Sequence, residues 1–115
     1  MNANLFDKQY AEAACEILAK EFHKKISARS IAERIGVGEK TLQRAFKKHY
    51  GINLFAYQMR LRMEYARTLL ERGDKSVKQV ALMVGYKLPS SFTKKFIRYY
   101  GSSPSAWLGT SNGGS

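Results

Sequence analysis

The sequence has few residues that could cross-link the chain or interrupt its helices. Among 115 residues there are one cysteine, Cys15, and two prolines, so an internal disulfide is excluded. No run of 18 apolar residues is present and the first residues do not resemble a signal peptide, so neither a membrane span nor export is expected. No segment alternates polar and apolar residues, so we predict no strand. We expect an all-α, cytoplasmic protein with Cys15 as a buried thiol.

Acidic residues are scarce and unevenly placed. Nine Asp and Glu stand against 20 Lys and Arg, for a formal net charge of +11. All nine acids lie between Asp7 and Asp74, so residues 75–115 carry positive charge only. This excess favours a polyanionic partner but does not choose between DNA, RNA and an anionic membrane.

Apolar periodicity and cap residues predict seven helices. We expect them at about residues 7–24, 27–36, 39–50, 53–72, 76–85, 89–100 and 103–108, with residues 109–115 as a disordered tail. Ser27, Asn53, Ser76 and Ser103 stand where N-caps belong, and Pro89 suits a first helical position. A hydrophobic content of 44% is enough for a modest core, so we expect one compact body.

The second half of the chain is a weak copy of the first. At an offset of 49 and then 50 residues, the matched positions are Ser27 with Ser76, Ile31 with Val80, Ala32 with Ala81, Gly36 with Gly85, Leu42 with Phe92, Phe46 with Phe96, Tyr50 with Tyr100, Gly51 with Gly101 and Tyr57 with Trp107. Each copy contains a short helix, a glycine-bearing turn and a second helix ended by glycine. That order is typical of a helix-turn-helix, in which the second helix enters the major groove of DNA.

The second helix of each copy supplies the candidate DNA contacts. If Leu42 and Phe46 point inward, the opposite face carries the candidate base contacts Lys40, Gln43 and Arg44. Arg can bond guanine and Gln adenine in bidentate fashion. In the second copy the candidate base contacts are Ser90, Thr93 and Lys94, whose hydroxyls discriminate less. Lys47, Lys48, Lys95 and Arg98 are interpreted as phosphate contacts.

Other chemistry has little support in the sequence. Phe46, Phe92, Phe96, Tyr57 and Trp107 have the helical spacing of core residues rather than of a base-stacking platform. His23 and His49 have no partner at ligand spacing, so we expect no metal, cofactor or catalytic site.

Several fixed spacings resemble the AraC/XylS-type transcription regulators, in their C-terminal DNA-binding domain. The strongest is VALMVGYKLPSSFTKKFIRYYGSSPSAW, at residues 80–107, supported by SIAERIGVGEKTLQRAFKKHYG and YQMRLRMEYARTLL. The resemblance implies a domain at 5–108 with helix-turn-helix units at about 27–51 and 76–101, joined by a long helix at about 53–73. It also implies that the two recognition helices enter successive major grooves from one side of the DNA. The positions Lys40, Gln43, Arg44, Ser90, Thr93 and Lys94 fall on the base-reading sites of the family.

The chain departs from the family before each recognition helix. Leu88 stands where Asp or Ser is common, and Gly38 replaces a common Ser, so side-chain caps are expected to be missing there. The resemblance further implies RNA polymerase as a partner and an effector or dimerisation domain outside this chain. An excised C-terminal domain and a small stand-alone member both fit.

We therefore predict a sequence-specific, double-stranded DNA-binding domain of a bacterial transcription regulator that is not an enzyme. Two alternatives stay open at this stage: an architectural DNA- or RNA-binding protein that uses its basic face without reading bases, and a helical protein-interaction module.

Overall fold

The structure, a computed structural model, describes residues 4–110, and its regular elements there are all helical. Six α-helices are followed by one 3₁₀ helix: α1 (Asn4–Glu21), α2 (Ala28–Ile35), α3 (Glu39–Tyr50), α4 (Leu54–Arg72), α5 (Val77–Met83), α6 (Pro89–Tyr100) and the 3₁₀ helix Pro104–Trp107. The all-α prediction is confirmed for these residues. The predicted seventh α-helix is a single 3₁₀ turn, begun by Pro104. No helix in this part of the chain has the length and apolarity needed to cross a membrane.

The chain divides into two compact units, and the boundary between them along the sequence falls within α4, between Arg60 and Leu61. The first unit contains α1, α2, α3 and the first part of α4. The second contains the rest of α4, α5, α6 and the 3₁₀ helix. Each unit therefore holds one complete helix-turn-helix, as the sequence repeat predicts.

In the first unit, α1 packs against α2 and α3. The core consists of Ala11, Ala14, Leu18, Ile31, Ala32, Leu42, Ala45, Phe46 and Leu54, all buried. The first helix begins and ends three residues earlier than predicted, because the chain turns after Glu21. There the carbonyls of Phe22 and Lys24 accept hydrogen bonds from the buried Gln58 side chain, at 3.0 and 3.3 Å.

In the second unit, α5 and the 3₁₀ helix both contact α6. Its core consists of Met63, Ala66, Leu69, Leu70, Val80, Ala81, Val84, Phe92, Phe96 and Pro104. The fifth helix ends at Met83, slightly before the predicted Gly85, and Gly85 adopts a left-handed φ of 105° in the turn.

Each unit contains an aromatic cluster at positions that the repeat makes equivalent. In the first unit, the Phe46 ring centroid lies 4.8 Å from that of Tyr50 and 5.5 Å from that of Tyr57. In the second, Phe96 lies 4.8 Å from Tyr100 and 6.3 Å from Trp107. The prediction that these aromatic residues pack within the protein is confirmed for both phenylalanines, which are fully buried.

The structure differs from the expectations for Cys15 and for the start of the tail. The thiol of Cys15 is half-buried rather than buried, because it lies at the edge of the aromatic cluster and donates to Tyr57 Oη at 3.3 Å. Gly109 and Thr110, the first residues of the expected disordered tail, both make hydrogen bonds: the Gly109 amide to Leu70 O and the Thr110 hydroxyl to Trp107 O, each at 2.9 Å. The rest of that tail, 111–115, lies outside the described residues.

Candidate nucleic-acid interface

Short-range hydrogen bonds define the first helix-turn-helix. The Ser27 side chain accepts from the Ser30 amide and the Ser30 side chain accepts from the Ser27 amide, so α2 starts with a reciprocal capping box. Gly36 ends α2 in the left-handed region at φ 90°, where a side chain would be strained. The turn that follows delivers the chain to α3, the candidate recognition helix.

The buried face of α3 decides which side chains remain available for DNA. Leu42, Ala45 and Phe46 are fully buried against the rest of the first unit. Because these positions share one side of the helix, the opposite side carries the exposed predicted contacts, which are Lys40, Gln43, Arg44, Lys47 and Lys48. The sequence-based placement of this face is confirmed, although its contacts with DNA stay a prediction.

Two of the three predicted base contacts of α3 are held by acidic side chains. Gln43 Nε2 donates to Glu39 Oε2 at 2.9 Å, one turn earlier in the same helix. Arg44 Nη1 donates to Asp7 Oδ2 of α1 at 3.1 Å, and Lys48 Nζ lies 3.9 Å from the same oxygen. The sequence analysis did not identify Asp7 as part of this site.

A signal for Asp7 was nevertheless present in the sequence. The buried face of α1 is formed by Asp7, Ala11, Ala14 and Leu18, spaced by four, three and four residues. A carboxylate at a position of an amphipathic helix that should be apolar needs a cationic partner when it is buried. Which cation would supply it could not be read from the pattern, since Arg44 is 37 residues away.

The second recognition helix, α6, has the same inward face and a different outward one. Phe92 and Phe96 are fully buried. Of the predicted contacts, Ser90, Lys94 and Arg98 are exposed, whereas Thr93 and Lys95 are half-buried at the flanks. Within residues 4–110, no hydrogen bond or ion pair engages any of these five side chains.

Neither recognition helix has a side-chain cap, as the departures at Gly38 and Leu88 predict. Backbone hydrogen bonds are nevertheless present at the start of both helices. The Leu42 amide donates to Gly38 O at 3.0 Å, and the Ser91 and Phe92 amides donate to Leu88 O at 3.1 and 3.2 Å. Pro89 occupies the first helical position of α6, where its missing N–H removes no intrahelical bond.

Charged pairs beside the recognition helices are concentrated in the first unit. Glu21 of α1 and Arg34 of α2 form a two-bonded pair, both bonds at 2.8 Å. The hydrogen bonds from Arg34 hold the pKa of Glu21 below its ordinary value.

In the part of the chain that the structure describes, no group of three His, Cys, Asp or Glu side chains is placed to hold a metal ion.

Two helix-turn-helix units with outward polar and cationic side chains on their second helices define a class: helix-turn-helix DNA-binding domains. A family model described as "Helix-turn-helix domain" matches residues 31–110. The chain belongs to the AraC-type helix-turn-helix family. The resemblance seen in the sequence is thereby confirmed.

Individual relatives agree with this family. The chain is 36% identical over 87 residues to the HTH-type transcriptional activator RhaS of Escherichia fergusonii, covering 76% of this chain and 31% of that protein. It spans less than half the length of this and two further curated relatives.

Solved structures share the fold. The C-terminal domain of AraT, a response regulator from Geobacillus stearothermophilus, matches with a TM-score of 0.81 and 27% identity, covering 85% of this chain and 82% of that one. The DNA-binding domain of AdpA, a global transcriptional factor solved in complex with a target DNA, matches with a TM-score of 0.78 and 27% identity, covering 84% of this chain and 87% of that one. This chain is accordingly a DNA-binding domain of the kind that transcriptional regulators carry.

Proposed function

We propose that this domain reads double-stranded DNA in a sequence-specific manner, with α3 and α6 inserted into two successive major grooves. The observation that carries the proposal is the outward face of α3, where the buried Leu42 and Phe46 leave Gln43 and Arg44 exposed at the surface. An amide and a guanidinium are the side chains best suited to bidentate bonds with adenine and guanine. The AdpA domain, solved with its target DNA, supports the same use of this fold.

The contacts divide into two kinds. We assign Lys40, Gln43 and Arg44 of α3 and Ser90, Thr93 and Lys94 of α6 to base edges. We assign Lys47, Lys48, Lys95 and Arg98 to phosphates, because a lysine or arginine further along a recognition helix meets the backbone of the groove. The first unit should then specify its half-site more sharply than the second, whose contacts depend more on phosphate and on DNA shape.

The whole protein to which such a domain contributes is part of the proposal. We infer that it is a bacterial transcription regulator without enzymatic activity, acting in the cytoplasm. RNA polymerase and an effector or dimerisation domain outside residues 5–108 are its proposed further partners. The relative RhaS, described as a transcriptional activator, supports this inference.

Selection from a random duplex pool at physiological salt tests the proposal. We expect a motif with two half-sites one helical turn apart, about 10 base pairs from centre to centre. Binding to the selected site should exceed binding to bulk DNA by roughly 10³ or more. Enrichment without any motif would contradict sequence-specific recognition and leave an architectural DNA-binding protein.

The role of Arg44 is tested by Arg44→Ala on the selected site. We expect it to cost about 1 to 3 kcal/mol and to relax the preference at one base position, since one bidentate contact is lost. Lys20→Ala is the control, because Lys20 is an exposed lysine of α1 outside both recognition helices. If the base preference of Arg44→Ala equals that of the wild type, the assignment of Arg44 is wrong.

A further inference from the structure

We propose that Asp7 is a positioning residue for DNA recognition, which sets the sequence preference of the first unit by holding the Arg44 guanidinium. Asp7 belongs to α1 rather than to the recognition helix, and it has no predicted contact with DNA. The inference rests on the proposed role of Arg44 as a base contact. It adds a residue that determines specificity through another side chain.

The carboxylate of Asp7 is fixed in place by the packing of α1 on α3. Its residue is 5% exposed and continues the buried face formed by Ala11, Ala14 and Leu18. Both alanines are fully buried, and α1 packs on α3. The position of the anchor is therefore set by the core rather than by a flexible surface side chain.

The contact leaves most of the Arg44 guanidinium available. Nη1 is bound to Asp7 Oδ2 at 3.1 Å, and no other nitrogen of Arg44 has a hydrogen bond to the described residues. The Arg44 side chain remains half exposed. A guanidinium is a rigid planar fork, so a bond at one nitrogen restricts the plane in which the remaining donors can meet a base. Holding it before binding lowers the entropy lost when DNA binds.

Electrostatics favour retention of this contact in the free protein. Asp7 Oδ1 is buried and has no hydrogen-bond partner among residues 4–110, so Arg44 and Lys48 are the groups that compensate the charge. A buried carboxylate is costly when it loses its cation. Lys48 Nζ lies further away than Arg44, at 3.9 Å from Oδ2, so Arg44 is the principal partner.

The other anchored side chain of α3 lacks this support. Gln43 is bonded to Glu39, and both residues are exposed. Pairs one turn apart on an exposed helix contribute little and break readily. In α6, Lys94 occupies the position equivalent to Arg44 and has no anchor among the described residues. Of these three proposed base contacts, Arg44 is thus the one that a buried carboxylate holds.

The experiment measures the binding of Asp7→Asn and of the wild type to the selected duplex. It also measures their binding to duplexes changed at one base pair, namely the position at which Arg44→Ala loses its base preference. We expect Asp7→Asn to reduce the preference at that position by about threefold to tenfold, part of what a bidentate contact supplies. Affinity for unrelated duplexes should stay equal or rise, because a negative charge near DNA is lost. An unchanged base preference, or a sharper one, would overturn the inference.

Two further variants separate positioning from a general structural role. Glu21→Gln removes another α1 carboxylate that is paired with an arginine, Arg34, and should leave the base preference unchanged. The double variant of Asp7→Asn with Arg44→Ala should match Arg44→Ala alone at that position, since Asp7 acts through Arg44. An additional loss of preference in the double variant would contradict this route.

A measurement on the wild-type protein decides the matter if Asp7→Asn does not fold. Nitrogen relaxation of the arginine Nε–H groups should show Arg44 to be more rigid than Arg29, whose exposed side chain pairs with Glu33 at 3.6 Å. Equal mobility of the two groups would refute the anchoring. The two proposals can fail separately. If Arg44→Ala leaves the base preference unchanged, the base contact of Arg44 is rejected. If Arg44→Ala relaxes that preference and Asp7→Asn does not, only the positioning role of Asp7 is rejected.

Discussion

The two helix-turn-helix units share their packing and differ in what surrounds their recognition helices. In the first unit, Asp7 and Glu39 bond two of the side chains proposed to read bases. In the second, no described residue bonds the equivalent side chains, and no acidic residue follows Asp74 in the sequence. We infer from this difference that a repeated scaffold can present one surface whose side chains are held before binding and one whose side chains are not. We relate the first to base discrimination and the second to phosphate attraction.

The two units are closely alike in their aromatic clusters. Phe46 and Tyr50 have ring centroids 4.8 Å apart at an interplanar angle of 49°, and Phe96 and Tyr100 have 4.8 Å and 50°. The helix ends agree as well, since Gly51 and Gly101 have φ angles of 80° and 82°. At these positions the repeat is thus present in the structure as well as in the sequence.

The largest expected effect tests this equivalence in the core. We expect Phe46→Ala and Phe96→Ala each to lower the free energy of unfolding by about 3 to 5 kcal/mol, because each removes a fully buried ring and leaves a cavity. Urea denaturation followed by circular dichroism measures both. Phe55→Ala is the control: its ring is 65% exposed, so a change within about 0.5 kcal/mol is expected. A loss below 1 kcal/mol at only one phenylalanine would break the equivalence.

A moderate effect tests the electrostatic difference between Lys48 and Arg98, which the repeat offset of 50 makes equivalent. Arg98→Ala should reduce the slope of log K against log salt by about 0.9, the value for one phosphate contact. Lys48→Ala should reduce it less, because Asp7 already neutralises part of the Lys48 charge in the free protein. Fluorescence anisotropy with a labelled duplex at several salt concentrations gives both slopes. Equal reductions would remove the proposed difference.

The smallest effect concerns pH and the pair between Glu21 and Arg34. The pKa of Glu21 is lowered from an ordinary value of 4.5, so ionised Glu21 stabilises the folded first unit above that pH. This contribution is lost as the pH falls through the lowered pKa. Glu21→Gln should therefore reduce the Tm near neutral pH and have a vanishing effect in acid. Glu33→Gln, which breaks an exposed pair with Arg29, should change the Tm little near neutral pH. A constant Glu21→Gln effect down to low pH would contradict the assignment.

The features that the sequence predicted well depend on local chemistry. The bounds of α3, α4 and α6 follow from a cap, a glycine or a proline within a residue or two of each helix end, and they agree with the structure. The N-caps predicted at Ser27 and Ser76 are present, and each is part of a capping box whose partner lies only three residues away. The inward faces of both recognition helices follow from a simple spacing of apolar residues.

The features that escaped prediction depend on distant contacts. The half-burial of Cys15 follows from its contact with Tyr57, 42 residues on, and the anchoring of Arg44 follows from Asp7. The early end of α1 is tied to Gln58, whose amide bonds carbonyls more than 30 residues before it. Periodicity cannot encode such pairings, because the pattern of one helix does not show which distant residue of the chain will pack against it.

The short segment after the 3₁₀ helix has a practical meaning for anyone who trims this domain. Gly109 donates its amide to Leu70 O, near the carboxyl end of α4, and its backbone passes close enough that a Cβ built on Gly73 would lie 2.9 Å from Gly109 Cα. A shortened chain that stops at Leu108 would remove one of the two amides that donate to Leu70 O, the other being that of Gly73. The useful boundary for expression therefore lies beyond Gly109, and Gly73 is a poor site for a label or a substitution.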